Sequence, residues 1–177
     1  MNAPTPAAAP VASPIASGTV RVQRTPDGVA AIAQRAIAPG ERILFFDGAI
    51  VRRPSRHSIQ LDIDTHVEAA REMDEESLQR AYPWRYLNHS CDPNARVAAQ
   101  ERLLVARRAI APGELVTFDY TTTELELAEP FACHCGAAAC LGTVRGFVHL
   151  APAQQRARLP ELAPHVRAAL DRASPGR

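Results

Sequence analysis

Residues 85–94 read Arg85-Tyr86-Leu87-Asn88-His89-Ser90-Cys91-Asp92-Pro93-Asn94. Asn, His, Ser and Asp side chains bond to nearby backbone and hold irregular chain in place. A run of them flanked by Pro83 and Pro93 therefore reads as a structured loop. Downstream, Glu114-Leu115-Val116-Thr117-Phe118-Asp119-Tyr120 reads as a strand that ends in a tyrosine where the chain leaves the sheet. Upstream, Thr19 to Ala33 is strand-like and breaks at the turn signal Pro26-Asp27-Gly28. Glu41 to Val51 predicts one or two strands around Asp47-Gly48, and His57 to Asp62 a short one. Val67 to Ala81 lacks Gly and Pro and is rich in good helix formers, which predicts a helix. Arg96 to Ala99 and Arg102 to Ile110 predict further strands, and Pro152 onward predicts helix with a break at Pro160.

The heptapeptide Arg35-Ala36-Ile37-Ala38-Pro39-Gly40-Glu41 recurs as Arg108-Ala109-Ile110-Ala111-Pro112-Gly113-Glu114. Each copy ends one strand, turns at Pro-Gly and starts another. Proline presets φ at the second turn position, and glycine supplies the positive φ that a type II turn needs at the third. Two copies are too few for a solenoid. The fold class is mostly β, with few short helices.

A second cluster is Cys133-His134-Cys135-Gly136-Ala137-Ala138-Ala139-Cys140, a C-x-C-x4-C spacing. Three cysteines in eight residues of an intracellular chain favour a metal over disulfides. Structural zinc takes four ligands in a tetrahedron. The fourth comes from His134, which lies between two of the cysteines, or from a distant residue, for which Cys91 is the better candidate.

The chain has 177 residues and 46% apolar content, enough for one domain with a buried core. Its net charge of +1, without long runs of one sign, argues against a nucleic-acid-binding face. No apolar stretch approaches the roughly 20 residues needed to cross a bilayer. Met1 to Ser17 is Ala/Pro-rich without a basic leader and reads as a disordered tail. The expected location is cytoplasmic, with delivery to a host cell left open.

Taken together and in this order, these strings resemble the SET-domain protein-lysine methyltransferases. Asn88-His89-Ser90-Cys91-Asp92-Pro93-Asn94 is similar to the family's N-H-S-C-x-P-N signature, and Glu114 to Tyr120 to its G-E-x-x-x-F-D-Y signature. Phe131-Ala132-Cys133 through Gly142 resembles the post-SET zinc module, and Gly146-Phe147 its tail. The resemblance covers about Thr19 to Phe147 and is to a small member of bacterial type. It implies a pseudoknot of small curved β-sheets: SET domain 18–124, post-SET module 125–147, and a helical tail 148–177.

The resemblance also implies roles. The activity would be methyl transfer from S-adenosylmethionine to a lysine of a protein substrate, with one structural zinc on Cys91, Cys133, Cys135 and Cys140. Gly28, Val29, Asn88, His89, Tyr120, Phe131 and Leu141 would meet the cofactor. Tyr120 would stand at the methyl-transfer centre. Phe118 would stand beside it, where the choice between Phe and Tyr is linked to the number of methyl groups added. Phe46, Trp84 and Tyr86 would line the lysine channel. Two positions depart from the family pattern: Pro26 replaces the first glycine of Gly-x-Gly, and Phe46 replaces a tyrosine in Tyr-x-Gly. These departures motivate the alternative of a catalytically weak SET-like module that binds peptide or cofactor. The partner expected is a protein bearing a lysine, with neither a specific nucleic acid nor a membrane.

Overall fold

The computed structural model describes residues 18–26, 28–69 and 72–173. The Ala/Pro-rich tail and Asp27 of the first turn signal lie outside the described residues. In chain order the elements are β1 (Val20–Thr25), β2 (Gly28–Ala33), β3 (Arg42–Phe45), β4 (Ala49–Val51), β5 (Ile59–Asp62), β6 (Thr65–Glu68), α1 (Glu75–Ala81), β7 (Asn88–His89), β8 (Ala95–Ala98), β9 (Leu103–Ala106), β10 (Thr117–Phe118), β11 (Phe131–Ala132), β12 (Thr143–Val144), α2 (Pro152–Arg158) and α3 (Pro164–Ala173). Tight 3-10 turns occupy Pro83–Tyr86, Tyr120–Thr122, Phe147–His149 and Leu159–Glu161.

The expected set of small sheets with few short helices is what forms. β1 and β2 make an antiparallel hairpin, β3-β9-β8 and β4-β6-β5 make two three-stranded sheets, and β11-β12 pair near the cysteines. β7 and β10 are short parallel neighbours, Asn88 opposite Thr117 and His89 opposite Phe118. One continuous core runs through these layers, with Ala31, Ile43, Phe46, Val67, Leu104 and Val166 fully covered.

The two heptapeptides fold alike and meet. Ile37 and Ile110 exchange both backbone bonds at 3.0 Å. Gly40 has φ 79° and Gly113 φ 83°, the left-handed region that makes glycine the fitting residue at each turn. Glu41 accepts the Ala38 N–H at 3.0 Å and the Arg35 guanidinium at 2.5 Å. Glu114 accepts the Ala111 N–H at 2.9 Å and the Arg108 guanidinium at 2.8 Å.

Several expected elements are shorter than their sequence patterns. The helix expected over 67–81 begins only at Glu75, because Asp74 caps it by accepting the Ser77 N–H at 2.9 Å. Val67 and Glu68 belong to β6, where Val67 pairs with both Ile50 and Ile59 and is fully buried. Packing of a β-branched side chain outweighs local helix propensity there. The strand expected over 102–110 holds only Leu103–Ala106, with Ile110 in its separate bridge. The strand expected over 114–120 narrows to Thr117–Phe118, because the Asp119 carboxylate caps a new turn by accepting the Thr121 N–H at 3.0 Å. Asn88-His89, expected in a loop, forms a two-residue strand instead.

The segment after Tyr120 is enclosed from several directions, and Thr121 and Thr123 have no exposed surface. Glu124 accepts the Gln60 N–H at 2.8 Å, and the Gln60 side-chain oxygen accepts the Leu125 N–H at 3.0 Å. Gly146 (φ 115°) crosses this segment so closely that a Cβ there would lie 2.5 Å from the Leu125 carbonyl oxygen. This close crossing is the physical reason for the glycine in Gly146-Phe147.

Candidate active site and cysteine cluster

Parallel pairing of β7 with β10 brings two signature strings together. The Tyr120 N–H donates to His89 Nδ1 at 3.2 Å, and the Tyr120 hydroxyl donates to the Leu87 carbonyl at 2.6 Å. Four rings surround this point. Tyr120 lies 4.7 Å from Phe118, 5.3 Å from His89 and 6.0 Å from Phe131 between ring centroids, and His89 lies 5.8 Å from Phe131. Phe131 comes from β11, so the hairpin beside the cysteines closes one side of the ring cluster. Burial, reinforced by the nearby Glu124 carboxyl, pushes the Tyr120 phenol well above its ordinary range, so it remains a hydrogen-bond donor at neutral pH.

His89 is lowered in pKa, chiefly by burial, and is neutral at pH 7. Its Nδ1 accepts from Tyr120, so the proton sits on Nε2, which donates to Cys91 Sγ at 3.2 Å. One imidazole thus joins the tyrosine backbone to the first cysteine. Asp119 Oδ1 lies 3.7 Å from His89 Nδ1, while Oδ2 takes an ion pair from Arg158 at 2.8 Å. Asn94 is buried within the same loop. Its amide donates to Glu114 at 3.0 Å and to the Leu115 carbonyl at 2.6 Å, and its oxygen accepts the Thr117 N–H at 2.9 Å. That residue fastens the Asn-His-Ser-Cys loop to the second heptapeptide.

Cys91, Cys133, Cys135 and Cys140 converge, their Sγ atoms all within 4.8 Å of one another and Cys91–Cys133 at 3.9 Å. Four sulfurs each about 2.3 Å from one tetrahedral ion stand about 3.8 Å apart, so this donor set fits a metal ion of the zinc class. Backbone amides already point at the sulfurs: Cys91 N–H to Cys135 Sγ at 3.5 Å and Leu141 N–H to Cys91 Sγ at 3.4 Å. Burial raises the Cys91 thiol beyond the usual range and lifts Cys133 to about 11, so these two ionise readily only against a cation. His134 is exposed and stands outside the cluster, and the fourth sulfur beside Cys133, Cys135 and Cys140 is that of Cys91.

The other expected site residues divide between this centre and other places. Leu141 approaches Cys91 through its backbone. Asn88 is exposed on β7. Gly28 and Val29 open β2, a strand that packs beside the Pro83–Tyr86 turn. Phe46 and Trp84 form their own edge-to-face pair at 6.0 Å, 0% and 2% exposed, with the Trp84 indole N–H on Asp47 at 3.2 Å. Tyr86 is half-buried, and its hydroxyl donates to Glu75 at 2.9 Å. Asp119, Asn94 and Glu124 had no role assigned from sequence, although Asp119 and Asn94 lie inside the signature strings. Arg158 carried no local signal at all.

Residues 28–121 match the SET domain family model, and the chain belongs to the SET-domain family. It is similar to histone-lysine N-methyltransferase Set2 of Drosophila melanogaster, 32% identical over 140 residues that cover 71% of this chain and 6% of that protein. It is also similar to methyltransferase flvH of Aspergillus flavus, 36% identical over 63 residues (34% of this chain, 35% of that protein). A third relative is the H3 lysine-36 specific histone-lysine N-methyltransferase of Yarrowia lipolytica, 43% identical over 68 residues (35% of this chain, 9% of that protein). The matches thus span about a third of flvH and under a tenth of the other two. Among solved structures, KRYPTONITE in complex with mCHH DNA, H3(1-15) peptide and SAH has the same fold, with TM-score 0.54 and 22% identity. That match covers 70% of this chain and 29% of the other. Among the described residues no helix is long and apolar enough to cross a membrane.

Proposed function

We propose that this chain transfers a methyl group from S-adenosylmethionine to a lysine side chain of a protein, with one zinc ion on Cys91, Cys133, Cys135 and Cys140 closing the cofactor side. The observation that carries this reading is the Tyr120 hydroxyl held on the Leu87 carbonyl within a ring cluster that the cysteine hairpin closes. The named relatives, histone-lysine methyltransferases among them, support it. The proposal includes a SET domain at 18–124, a post-SET module at 125–147 and a tail at 148–177.

S-adenosylmethionine supplies a methyl group on a positively charged sulfur. The chain's part is to present a neutral amine in line with it. A lysine ammonium, with an ordinary pKa near 10.4, must first release a proton to solvent. Entry into an apolar channel favours that release by desolvation, and the adjacent sulfonium adds like-charge repulsion. The amine lone pair then forms the N–C bond while the C–S bond breaks, leaving S-adenosylhomocysteine and methyl-lysine. Tyr120 and the Leu87 carbonyl orient the reacting groups, and Phe118 forms the channel floor. Tyr86 lines the channel, with Phe46 and Trp84 as the packed layer behind it. Asn88, His89, Phe131 and Leu141, with Gly28 and Val29 at the rim, hold the cofactor. Alignment at about 3–3.5 Å supplies about 7–11 kcal/mol of the barrier without a strong general base.

The test exploits a feature of the chain itself: all 20 basic residues are arginine, and there is no lysine. Any methyl-lysine formed by the purified protein therefore belongs to a substrate. Label from S-adenosylmethionine should appear on lysines of a mixed protein extract, read by mass spectrometry, and be lost with Tyr120→Phe. A second reading, a SET-like module that binds without turnover, is favoured by Pro26 and by the buried, hydroxyl-free Phe46. Cofactor binding with no methyl-lysine in any extract would select it.

A further inference from the structure

The chain beyond the cysteine cluster returns to the centre of the molecule. The Phe147 N–H donates to the Glu124 carbonyl at 2.9 Å, the Ala163 N–H to the Thr122 carbonyl at 2.9 Å, and His165 Nε2 to the Thr123 carbonyl at 2.7 Å. These contacts, with the Arg107–Glu161 ion pair at 2.6 Å, dock the tail. Arg158, the last residue of α2, does something different. Its Nε lies 2.8 Å from Asp119 Oδ2 and 2.7 Å from Thr121 Oγ1, with the Arg and Asp side chains 11% and 6% exposed. The other carboxylate oxygen, Oδ1, accepts the Thr121 N–H at 3.0 Å and its hydroxyl at 2.7 Å. Arg158, Asp119 and Thr121 form a closed triangle, and Tyr120 is the residue between its two backbone corners.

We propose that Arg158 is a positioning residue for Tyr120, acting through Asp119 and Thr121, so that the C-terminal tail completes the methyl-transfer centre. The proposal rests on the assignment of Tyr120 to methyl transfer. Its physical basis is where the ion pair falls. A buried ion pair is a weak source of net stability, because desolvation of both charges offsets their attraction. The tail is already docked by other contacts. The effect of this pair is geometric: it fixes the backbone on either side of a tyrosine whose hydroxyl must stay on the Leu87 carbonyl.

The experiment compares Arg158→Gln, Arg158→Ala and the double variant Asp119→Asn/Arg158→Gln with wild type. The double variant removes both charges together, so no unpaired charge remains buried and folding is preserved. Turnover, KM, cofactor dissociation constant and the ring-carbon NMR resonances of the three tyrosines are measured, Tyr120 being assigned with Tyr120→Phe. A displacement of about 1 Å can cost about a hundredfold in rate. The expected result is a ten- to hundredfold fall in turnover with KM and cofactor affinity nearly unchanged, partly restored in Arg158→Ala by added methylguanidinium. The Tyr120 resonance moves in every variant while those of Tyr82 and Tyr86 hold. A double variant with wild-type turnover, a loss of cofactor affinity that matches the loss of rate, or an unmoved Tyr120 resonance overturns the proposal. The NMR readout needs no substrate, so failure of the positioning role is told apart from failure of the methyl-transfer reading.

Discussion

Two regions meet at Tyr120, and they are built in opposite ways. The crossing of β7 and β10 is complete in protein atoms: Tyr120 is bonded to Leu87 and His89, Asp119 to Thr121 and Arg158, and Asn94 to Glu114, Leu115 and Thr117. The cysteine cluster brings four sulfurs together with few partners other than one another and a few backbone amides. One region is preorganised by the fold, and in the other burial raises the Cys91 and Cys133 thiols, so that a cation would favour their thiolate forms. His89 joins them, with Nδ1 on the crossing and Nε2 on Cys91. The difference teaches that the floor of the site is held by hydrogen bonds within the protein, whereas its side at Phe131 and Leu141 sits beside a donor set suited to a metal ion.

The largest expected effect breaks the two regions apart. Removing the metal by a chelator, or by Cys91→Ser with Cys140→Ser, should abolish stoichiometric zinc and unfold β11–β12, since metal binding and folding of such modules are coupled. Amide exchange should rise at Phe131 and Thr143, while Thr117 and Phe118 keep their protection. One zinc per chain retained in the double variant would remove the cluster from this account.

Next comes the crossing itself. Asp119→Ala deletes the turn cap and leaves Arg158 buried without its partner, a loss of about 3–5 kcal/mol expected in denaturant unfolding. Zinc content should be unchanged. A loss under 1 kcal/mol would mean that water reaches Arg158 and that the crossing is not closed.

His89→Ala attacks the joint. Loss of one buried imidazole with its two bonds should weaken S-adenosylmethionine binding by about 1–3 kcal/mol in calorimetry. Unchanged affinity would separate the two regions functionally.

The pH dependence should come from the protein-built side. Burial pushes the Glu124 carboxyl up to about 8 from its ordinary 4.5. Its folded pKa is the higher one, so its contribution is fully present below about 4.5 and is lost as pH rises toward 8. Glu124→Gln should flatten this alkaline decline in thermal melting. His66, His89 and His165 are lowered, burial first, from 6.5. With folded values below unfolded ones, they cost stability as pH falls through 6.5. Stability should therefore fall on both sides of a maximum near pH 6–7, and an alkaline limb that Glu124→Gln leaves intact would exclude Glu124 as its source.

The smallest effect is one of product. Phe118 lies tilted against Tyr120, ring centroids 4.7 Å apart, and carries no hydroxyl to restrain a methylated amine, so two or three methyl groups are expected on the lysine. Phe118→Tyr should shift the distribution toward one methyl, read by mass spectrometry. An unchanged distribution would place the control of product number elsewhere.

Much of this arrangement was legible in the residues. The two heptapeptides fold alike because a Pro-Gly turn and a glutamate that reaches back to its own loop are local instructions, readable wherever they occur. The cysteine spacing and the two signature strings likewise point to their chemistry without coordinates. Val67 and Glu68 were misread because a local pattern cannot report the strand partner waiting for them. Phe46 is given a channel role by the family resemblance alone, and its burial against Trp84 depends on chain nearly forty residues away.

What the sequence alone determined about this protein is its two Pro-Gly turns, most of its strand regions, the C-x-C-x4-C cluster and the family. Those rest on interactions between near neighbours or on motifs whose spacing is itself the signal. Only the tertiary structure decided that Arg158 stands on Asp119, that His89 spans Tyr120 and Cys91, and that Glu124 is buried beside Gln60. Each depends on segments brought together by burial of a common core, and no local preference of Arg, His or Glu encodes a partner so distant along the chain.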